Sequence, residues 1–410
     1  MEVYLVGGAV RDALMGLPVQ DRDWVVVGAT PEQLLAQGFT PVGRDFPVFL
    51  HPTTHEEYAL ARTERNTAGG YRGFAVHAAP DVTLEDDLAR RDLTINSIAA
   101  YALSTRPDGQ FDLKNGLTVA VCAGSDRLVD PFGGQADIAH KMLRHVTPAF
   151  REDPVRILRV ARFAARFTDF TVAPETLALM RTMVDAGETD HLVPERVWQE
   201  LARGLMEQQP SRMFAVLHAC GALAHLLPAL ARGDNAPAFA GDIRVMPPDD
   251  VALRAIDHAA QCAAHLPVRV ACLVRHTGAA FLHLRMPNDC RELAQLVARE
   301  HRSVDQCLAF DAEAVLDLLE RCDALRKPAR FSQALLACEI DAGARSDRQD
   351  TPYPQRQRLE TALAAAQAVA TNAIAAHAQS TGSSGQLIGQ MIRQARLQAV
   401  AAALPAPLQR

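Results

Sequence analysis

The chain has 410 residues, of which 49% are hydrophobic and 22% charged, and its formal net charge is −6. A chain of this size and composition can bury ample core in roughly two to four domains, which excludes a long disordered protein. The sequence has no apolar run long enough to cross a bilayer and no signal-peptide pattern, because MEVYLVGGAVRD lacks a basic start and meets charge early. We therefore expect a cytoplasmic protein without a membrane partner.

The N-terminal segment predicts a strand, a turn and a helix. MEVYLV reads as a strand, Gly7–Gly8 as a turn, and Ala9–Leu14 as the start of a helix. Backbone N–H groups and a helix N-terminus then point at whatever docks there, which favours an anion. Arg11, one turn into the helix, is placed to reach a triphosphate, and Asp12 to cap or brace the loop. Taken alone, such a turn is a weak indication of phosphate binding.

Two aspartates one residue apart, Asp21 and Asp23 in QDRDWVVVG, are the most informative feature. Trp24 and the β-branched Val25–Val27 predict a strand, on which residues i and i+2 share a face. Two carboxylates held that close are costly unless divalent cations lie between them, and Mg²⁺ prefers carboxylate and phosphate oxygens. A lone D-x-D is more often a solvated strand edge, but after the glycine turn it predicts metal-assisted phosphoryl or nucleotidyl transfer.

A third cluster lies in LEDDLARRDLTINS, residues 84–97. Thr83 is expected to cap a short helix there. Arg91 is placed to hold a phosphate or a sugar. Asp92 and Asn96 both accept hydrogen bonds, so either can orient that arginine or contact a ribose hydroxyl. Charges on an exposed helix end are the alternative interpretation.

A fourth cluster, REDPVRILRVARFAARF, occupies residues 151–167. Pro154 is expected to open a helix with Asp153 at its cap, and Asp153 and Arg156, three residues apart, then lie on one face. An acceptor beside a donor matches the N4–H and N3 edge of cytosine and the N6–H and N1 edge of adenine, whereas uracil and guanine present the reverse order. The pair is therefore predicted to select C and A together.

Arg159, Arg162 and Arg166 continue this helix at helical spacing and predict a basic stripe suited to a nucleotide triphosphate or an RNA backbone. For Arg162 and Arg166, a solvated helix face is an equal alternative.

The rest of the chain is predicted to be mainly helical after Pro148. Helices are expected over 194–206 and 213–230 with a break at Gly221, and again beyond Pro354 with an interruption at Ser380–Gly385 and a final helix to about Ala402. Two segments, 104–130 and 231–250, read as a hairpin or surface excursion and as a loop.

Four motifs in this order, LVGGAVRD, QDRDWVVVG, RRDLTIN and EDPVRILRVARFAARF, resemble the class II CCA-adding tRNA nucleotidyltransferases, the bacterial kind often called multifunctional CCA protein. The similarity is very close from Met1 to about Leu230. It implies an α+β fold with a polymerase β-like nucleotidyltransferase head, a mixed sheet with helices, at 1–143. An all-α neck at 144–235, body at 236–345 and tail at 346–410 would follow.

The resemblance further implies that C, C and A are added to the 3′ end of tRNA from CTP and ATP without a nucleic-acid template, with release of pyrophosphate, and that truncated CCA ends are repaired. Asp21 and Asp23 would be the catalytic, Mg²⁺-binding carboxylates, and Asp153 and Arg156 would read the base. The nucleotide-binding residues carried over by motif are Gly8, Arg11, Arg91, Asp153, Arg156 and Arg159.

A two-metal, in-line displacement at the α-phosphate fits this set and needs no covalent intermediate. Glu56 and Glu57 are candidates for a further carboxylate, but strand alternation lets only one of them face inward, and neither is assigned. The sequence leaves open whether the protein is a monomer or a homodimer.

The body departs from related enzymes that carry an HD phosphohydrolase domain. The sequence contains no His-Asp dipeptide, and where VACLVRHTGAA aligns, Arg275 and His276 occupy the positions of metal ligands. Arginine cannot replace histidine as a ligand. We therefore expect an HD-derived scaffold without phosphatase activity.

Three other interpretations were weighed. A bacterial poly(A) polymerase shares the head motifs, but the chain lacks the long basic C-terminal tail that such enzymes tend to carry. An enzyme adding only C or only A is a second alternative. A non-catalytic RNA-binding protein is the third, and it would have no need of the Asp21 and Asp23 pair.

Overall fold

The structure is a computed structural model, and it describes residues 1–42, 47–66, 74–102, 126–231, 251–275, 284–345, 352–380 and 384–405. These residues fall into two units. The first contains Met1–Leu201 and Arg212–Leu226, and the second contains Ala202–Ser211 and every described residue from Leu227 onward. The predicted four-part division at 143, 235 and 345 stays a prediction.

The first unit is built on a mixed sheet. The described strands are β1 (Glu2–Val6), β2 (Asp23–Val27), β3 (Thr40–Val42), β4 (Val48–Leu50), β5 (Glu57–Leu60), β6 (Thr63–Asn66), β7 (Phe74–His77), β8 (Ala99–Tyr101), β9 (Leu128–Val129), β10 (Met142–Leu143) and β11 (Thr171–Val172). Seven of them form one sheet in the order β3-β4-β5-β2-β1-β8-β9, in which only β2 and β5 are parallel neighbours. Two smaller pairs are β6 with β7 and β10 with β11.

Helices make up most of the remaining described chain. They are α1 (Gly8–Leu14), α2 (Pro31–Ala36), α3 (Leu84–Ala89), α4 (Gly134–Ala139), α5 (Val155–Arg166), α6 (Pro174–Asp185), α7 (Pro194–Leu205), α8 (Ser211–Ala219), α9 (Ala222–Leu226), α10 (Pro228–Ala231), α11 (Val251–Gln261), α12 (Leu266–Val274), α13 (Asn288–Gln306), α14 (Ala312–Arg321), α15 (Pro328–Arg345), α16 (Pro354–Gln367), α17 (Thr371–Ser380) and α18 (Gly385–Ala403). Short 3₁₀ helices cover Thr94–Asn96, Pro148–Glu152, Glu188–His191 and Cys307–Ala309. The expected α+β architecture, a mixed sheet followed by helices, is confirmed. No helix in the described part of the chain is both long and apolar enough to span a membrane.

Both faces of the large sheet are covered, which follows from the alternation of its strands. On one face, Trp24 and its neighbours pack with Val10 of α1 and Leu34 of α2. On the other face, Val25 packs with Leu88 of α3. Asp23 is two residues before Val25 on β2, so its side chain belongs to the α3 face of the sheet.

The strand carrying the two aspartates begins later than expected. Asp23 is the first residue of β2 and pairs with Val6, the last residue of β1, while Asp21 precedes the strand. Gly7 follows Val6 with φ +70° and directs the chain away, so β1 offers no partner for residues before Asp23. The prediction that Asp21 lies on this strand was therefore wrong, so strand alternation does not set its position relative to Asp23.

Most of the other local predictions agree with the structure. Thr83 caps α3, and Gly221 separates α8 from α9 with φ +85°. The N-cap of α5 is Pro154 rather than Asp153, which lies one residue earlier and accepts a hydrogen bond from the backbone N–H of Val155 at 3.1 Å. In the C-terminal segment, an unpredicted break separates α16 from α17. The predicted loop at 231–250 and most of the excursion at 104–130 lie outside the described residues.

The second unit contains a buried ion cluster at the end of α12. The Arg275 side chain is 1% exposed and lies 2.5 Å from Asp305 of α13 and 3.3 Å from Asp341 of α15. Tyr353 donates a hydrogen bond to Asp305 at 2.8 Å. The guanidinium thus supplies positive charge to the fully buried Asp341 carboxylate and to the partly exposed Asp305 carboxylate.

Candidate functional site

The glycine turn lets a guanidinium approach the backbone. A Cβ atom on Gly7 would lie 2.9 Å from Nη1 of Arg91, and φ at Gly7 is +70°. Glycine meets both requirements because it has no Cβ and adopts positive φ without strain. Nη2 of Arg91 also contacts the Asp87 carboxylate on α3 at 3.2 Å. The predicted phosphate-holding arginine therefore lies directly against the turn that begins α1.

Arg11 is buried within the wall of the site. Its side chain contacts the Asp12 carboxylate at 2.7 Å and donates a hydrogen bond to Oδ1 of Asn96. Its guanidinium also lies 5.2 Å from the ring centroids of Phe163 on α5 and of Phe167, the residue that follows α5. Burial lowers the pKa of Arg11, against the opposing effect of Asp12. These contacts tie α1 to α5.

Asp92 anchors the segment after α3. Its carboxylate accepts hydrogen bonds from Nε of Arg159 at 2.7 Å, from the Asn96 side chain at 2.9 Å and from the backbone N–H of Leu93 at 2.8 Å. Burial alone would raise the pKa of Asp92, but Arg159 and Asn96 outweigh burial and hold this pKa well below its usual range. Asp92 is therefore a charged, fully engaged carboxylate inside the protein.

The partners of three arginines differ from those expected. Asp92 pairs with Arg159 and Asn96 with Arg11, so neither orients Arg91 as predicted. On α5, Nε of Arg162 donates to Glu200 at 2.7 Å. Arg166 contacts Asp12 at 2.9 Å. Arg162 is buried and the Arg166 side chain is 33% exposed. Because both are paired with carboxylates, they do not form the predicted open basic stripe.

The two residues predicted to read a base lie at the start of α5. Arg196 of α7 donates to both carboxylate oxygens of Asp153, at 3.1 and 2.7 Å. Arg156 donates to the carbonyl of Ala149 at 2.8 Å and to that of Arg90 at 2.5 Å. Both side chains are held by the protein itself, and both face the same cavity.

That cavity has a volume of about 570 Å³, within the usual range for small-molecule sites. Val6–Gly8, α5 and α7 contribute to its walls. Among the residues that the structure describes, its charged lining consists of seven arginines (Arg11, Arg62, Arg90, Arg91, Arg156, Arg159 and Arg196) and five carboxylates (Asp23, Glu57, Asp92, Asp153 and Glu200). We call it the arginine-rich cavity.

A second cavity of about 650 Å³ adjoins it and is lined by four carboxylates, Asp21, Asp23, Glu56 and Glu57. We call it the acidic cavity. Asp23 and Glu57 line both cavities, and they are register partners on the parallel strands β2 and β5. Glu56 instead accepts a hydrogen bond from Trp24 Nε1 at 3.1 Å. Glu57, an exposed residue at the start of β5, is thus the glutamate that faces both cavities, whereas Glu56 lines only the acidic one.

The carboxylates at this boundary fit a hard cation. Desolvation raises the pKa of Asp23, Arg91 opposes that effect, and the nearby Asp21 carboxylate adds to it. A cation would relieve this unfavourable crowding of negative charge. In the parts of the chain that the structure describes, no cluster of three or more His, Cys, Asp or Glu side chains has ligating geometry. Mg²⁺ is commonly held by one or two carboxylates plus substrate phosphates, so Asp21 and Asp23 fit such a site without a third side-chain ligand.

The structure therefore brings most of the predicted site residues together. Those that line the arginine-rich cavity are Gly8, Arg11, Asp23, Arg91, Asp153, Arg156 and Arg159, while Asp21 lines only the acidic cavity. The cavity lining also includes Arg62, Arg90, Arg196 and Glu200, which were not among the predicted site residues, and Glu57, which was left unassigned. Glu57 has a partial signal in the strand-like HEEYALAR, but Arg196 lies in an ordinary amphipathic helix with no local signal.

Comparisons with known proteins identify the family of this chain. Residues 3–144 match the family model described as the poly A polymerase head domain, and residues 169–233 match the probable RNA and SrmB-binding site of polymerase A. The multifunctional CCA protein of Polaromonas naphthalenivorans (strain CJ2) is 58% identical, over 99% of this chain and all of that protein. The one from Variovorax paradoxus (strain S110) is 56% identical, over 98% of this chain and 99% of that protein. The chain belongs to the multifunctional CCA protein family.

Solved structures show the same fold. The Bacillus stearothermophilus CCA-adding enzyme in complex with CTP has a TM-score of 0.64 at 22% identity, covering 98% of this chain and 88% of that one. A CCA-adding enzyme complexed with ATP has a TM-score of 0.63 at 20% identity, covering 98% and 87%. The predicted polymerase head with a mostly helical remainder is thereby confirmed.

The Asp92 contacts predict a pH-dependent contribution to stability. Because the folded-state pKa lies below the unfolded value of about 3.9, the contribution is fully present above that value and is lost as the pH falls toward the folded pKa. At pH 7, Asp92→Asn should lower the free energy of unfolding by about 2 kcal/mol, less than for a fully buried pair because the Arg159 side chain is 36% exposed. The difference from wild type should narrow below about pH 4.

Denaturant unfolding at pH 7, 5 and 3 measures this difference. The exposed Asp81→Asn is the control and should change the free energy of unfolding by less than about 0.5 kcal/mol at each pH. A gap between wild type and Asp92→Asn that stays constant from pH 7 to 3 would contradict the prediction.

Proposed function

We propose that this protein adds C, C and A to the 3′ end of tRNA, using CTP and ATP without a nucleic-acid template and releasing pyrophosphate, and that it repairs truncated CCA ends. The observation that carries the proposal is the boundary formed by Asp23 and Glu57, where an arginine-rich cavity meets an acidic one. The family membership and the CTP and ATP complexes of proteins with this fold support it.

The arginine-rich cavity suits the nucleotide. Arg91 beside the Gly7 turn, with Arg90 and Arg62, offers guanidinium groups to a triphosphate, and charge-assisted hydrogen bonds from arginine to phosphate are strong. The opposite wall carries Asp153 and Arg156, an acceptor and a donor for the edge of cytosine or adenine. A nucleotide between these walls places its α-phosphate toward Asp23.

The acidic cavity suits the metal ions and the attacking hydroxyl. Asp21 and Asp23 would hold Mg²⁺, and Glu57 is in place as a further oxygen ligand. Bound Mg²⁺ supplies charge stabilisation for the attacking 3′-oxygen and the departing pyrophosphate of an in-line displacement. The carboxylates orient this reaction, and the arginines hold the leaving group while its charge develops.

A direct assay decides between this function and the alternatives. Purified protein is incubated with Mg²⁺, each nucleotide separately and together, and tRNAs that end before or within CCA. We expect each tRNA to gain only the residues that its CCA end lacks. A tRNA that ends before CCA should gain C, then C, then one A. Long runs of A from ATP alone would instead support a poly(A) polymerase, and no pyrophosphate release with any tRNA would support a non-catalytic RNA-binding protein.

The metal assignment predicts the effect of removing a carboxylate. Asp21→Ala or Asp23→Ala should reduce nucleotide addition by roughly 10³-fold, because metal ions supply several kcal/mol of transition-state stabilisation. Glu57→Gln should also reduce the rate, whereas Asp190→Ala, at an exposed position that lines neither cavity, should not. Rates are compared under single-turnover conditions, with thermal unfolding as a check on folding. Addition near the wild-type rate in either aspartate variant would refute the assignment.

The base-reading pair predicts a change in nucleotide choice. Arg156→Ala should lower the ratio of kcat/KM for CTP to that for UTP on tRNA lacking CCA by about 5- to 150-fold, since a lost base-edge pair costs about 1 to 3 kcal/mol of discrimination. Asp153→Ala should act in the same direction. Arg11 contacts Asp12 and Asn96. Arg11→Ala should therefore slow all four nucleotides alike. An unchanged ratio in both Asp153→Ala and Arg156→Ala would mean that the base is read elsewhere.

We also propose that the second unit lacks phosphohydrolase activity. Arg275 is the buried partner of Asp305 and Asp341, so these carboxylates are already neutralised by a guanidinium. His276, the other residue at an expected ligand position, lies outside the described residues. The protein should not hydrolyse 2′,3′-cyclic nucleotides, with or without added Ni²⁺ or Co²⁺. Metal-stimulated hydrolysis that persists in Asp23→Ala would overturn this proposal.

A further inference from the structure

The Asp153 carboxylate is fixed by a guanidinium from another helix. Arg196, in the first turn of α7, donates from Nη1 to Oδ1 at 3.1 Å and from Nη2 to Oδ2 at 2.7 Å. Two such bonds in parallel fix the plane of a carboxylate as well as its position. The two side chains are 26% and 18% exposed, and both line the arginine-rich cavity.

These contacts leave one carboxylate oxygen with room for a further donor. Oδ1 of Asp153 accepts from Arg196 and also from the backbone N–H of Val155 at 3.1 Å. Oδ2 accepts only the Nη2 bond from Arg196 among these hydrogen bonds. Since each carboxylate oxygen has about two lone-pair sites, Oδ2 retains capacity for one more donor. The exocyclic amino group of cytosine or adenine is such a donor, whereas O4 of uracil and O6 of guanine are acceptors.

The donor half of the base-reading pair is fixed separately. Arg156 is held by the carbonyls of Ala149 and Arg90, and Arg196 makes neither of these bonds. One helical turn beyond Arg196, Glu200 bonds to Arg162 of α5 at 2.7 Å. This second ion pair keeps α7 connected to α5 when the Arg196 side chain is removed. A change at Arg196 therefore leaves these two bonds of Arg156 in place.

We propose that Arg196 is a positioning residue for base selection: it holds the Asp153 carboxylate in the orientation that accepts an amino group and opposes a carbonyl oxygen. The inference rests on the proposed function. Without Arg196, the Asp153 carboxylate can rotate away from O4 of uracil, and the repulsion that disfavours UTP is then reduced. CTP and ATP, in contrast, lose a fixed acceptor for their amino group.

The test is the ratio of kcat/KM for CTP to that for UTP on tRNA lacking CCA. Arg196→Ala should lower this ratio at least tenfold, and Arg196→Lys, which keeps the charge but not the two-bond geometry, should lower it less. Arg181→Ala is the matched control: Arg181 donates to the carbonyl of Ala219, lines neither cavity, and should leave the ratio unchanged.

A double substitution separates positioning from a general structural role. If Arg196 acts through Asp153, then Arg196→Ala should change the ratio less than twofold in an Asp153→Ala background. An equal loss for CTP and UTP, or a full additional effect in the double variant, would overturn the inference. Wild-type protein that adds neither C nor A to such a tRNA would contradict the proposed function itself, whereas active wild type with an unchanged ratio in Arg196→Ala contradicts this inference alone.

Discussion

The first unit depends on one buried carboxylate, Asp92, that must be neutralised. Arg159 of α5 and the Asn96 side chain supply its hydrogen bonds, and Asn96 in turn accepts from Arg11, which pairs with Asp12. Removing one of these side chains leaves another buried without its partner, and an uncompensated buried charge lowers the free energy of unfolding. These contacts therefore connect three parts of the chain: α1, α5, and the segment that follows α3. All three contribute to the walls of the arginine-rich cavity.

Such a wall is organised before any anion arrives. Arg90 and Arg91 are held by Asp87, and Arg159 by Asp92, so their guanidinium groups already occupy fixed positions. A flexible arginine loses rotamer freedom when it grips a phosphate, but a braced arginine has lost that freedom on folding. Fixed dipoles and charges aimed at developing charge are also the largest common source of catalytic stabilisation.

Local patterns in the sequence were sufficient to predict most of the site residues, but they did not predict which residues these side chains contact. The glycine turn, the D-x-D and the Asp153 and Arg156 spacing are short-range signals, and the structure brings them to one cavity and its neighbour. Contacts such as Arg166 with Asp12 join residues far apart in sequence, and periodicity carries no information about which carboxylate an arginine meets. Glu57 is known only from the parallel register of β2 and β5, which is itself a long-range pairing.

The mixture of charges in the cavity lining sets which ligand it balances. Seven arginines and five carboxylates leave a formal charge of +2 on the described lining, far less than the arginines alone would give. A nucleoside triphosphate carries about −4 near neutral pH and about −2 once it shares one Mg²⁺, so the lining matches the metal complex rather than the bare polyanion. Free pyrophosphate or an unchelated nucleotide would leave net negative charge in the cavity. If the proposed function holds, we therefore expect the cavity to favour a nucleotide that arrives with its cation.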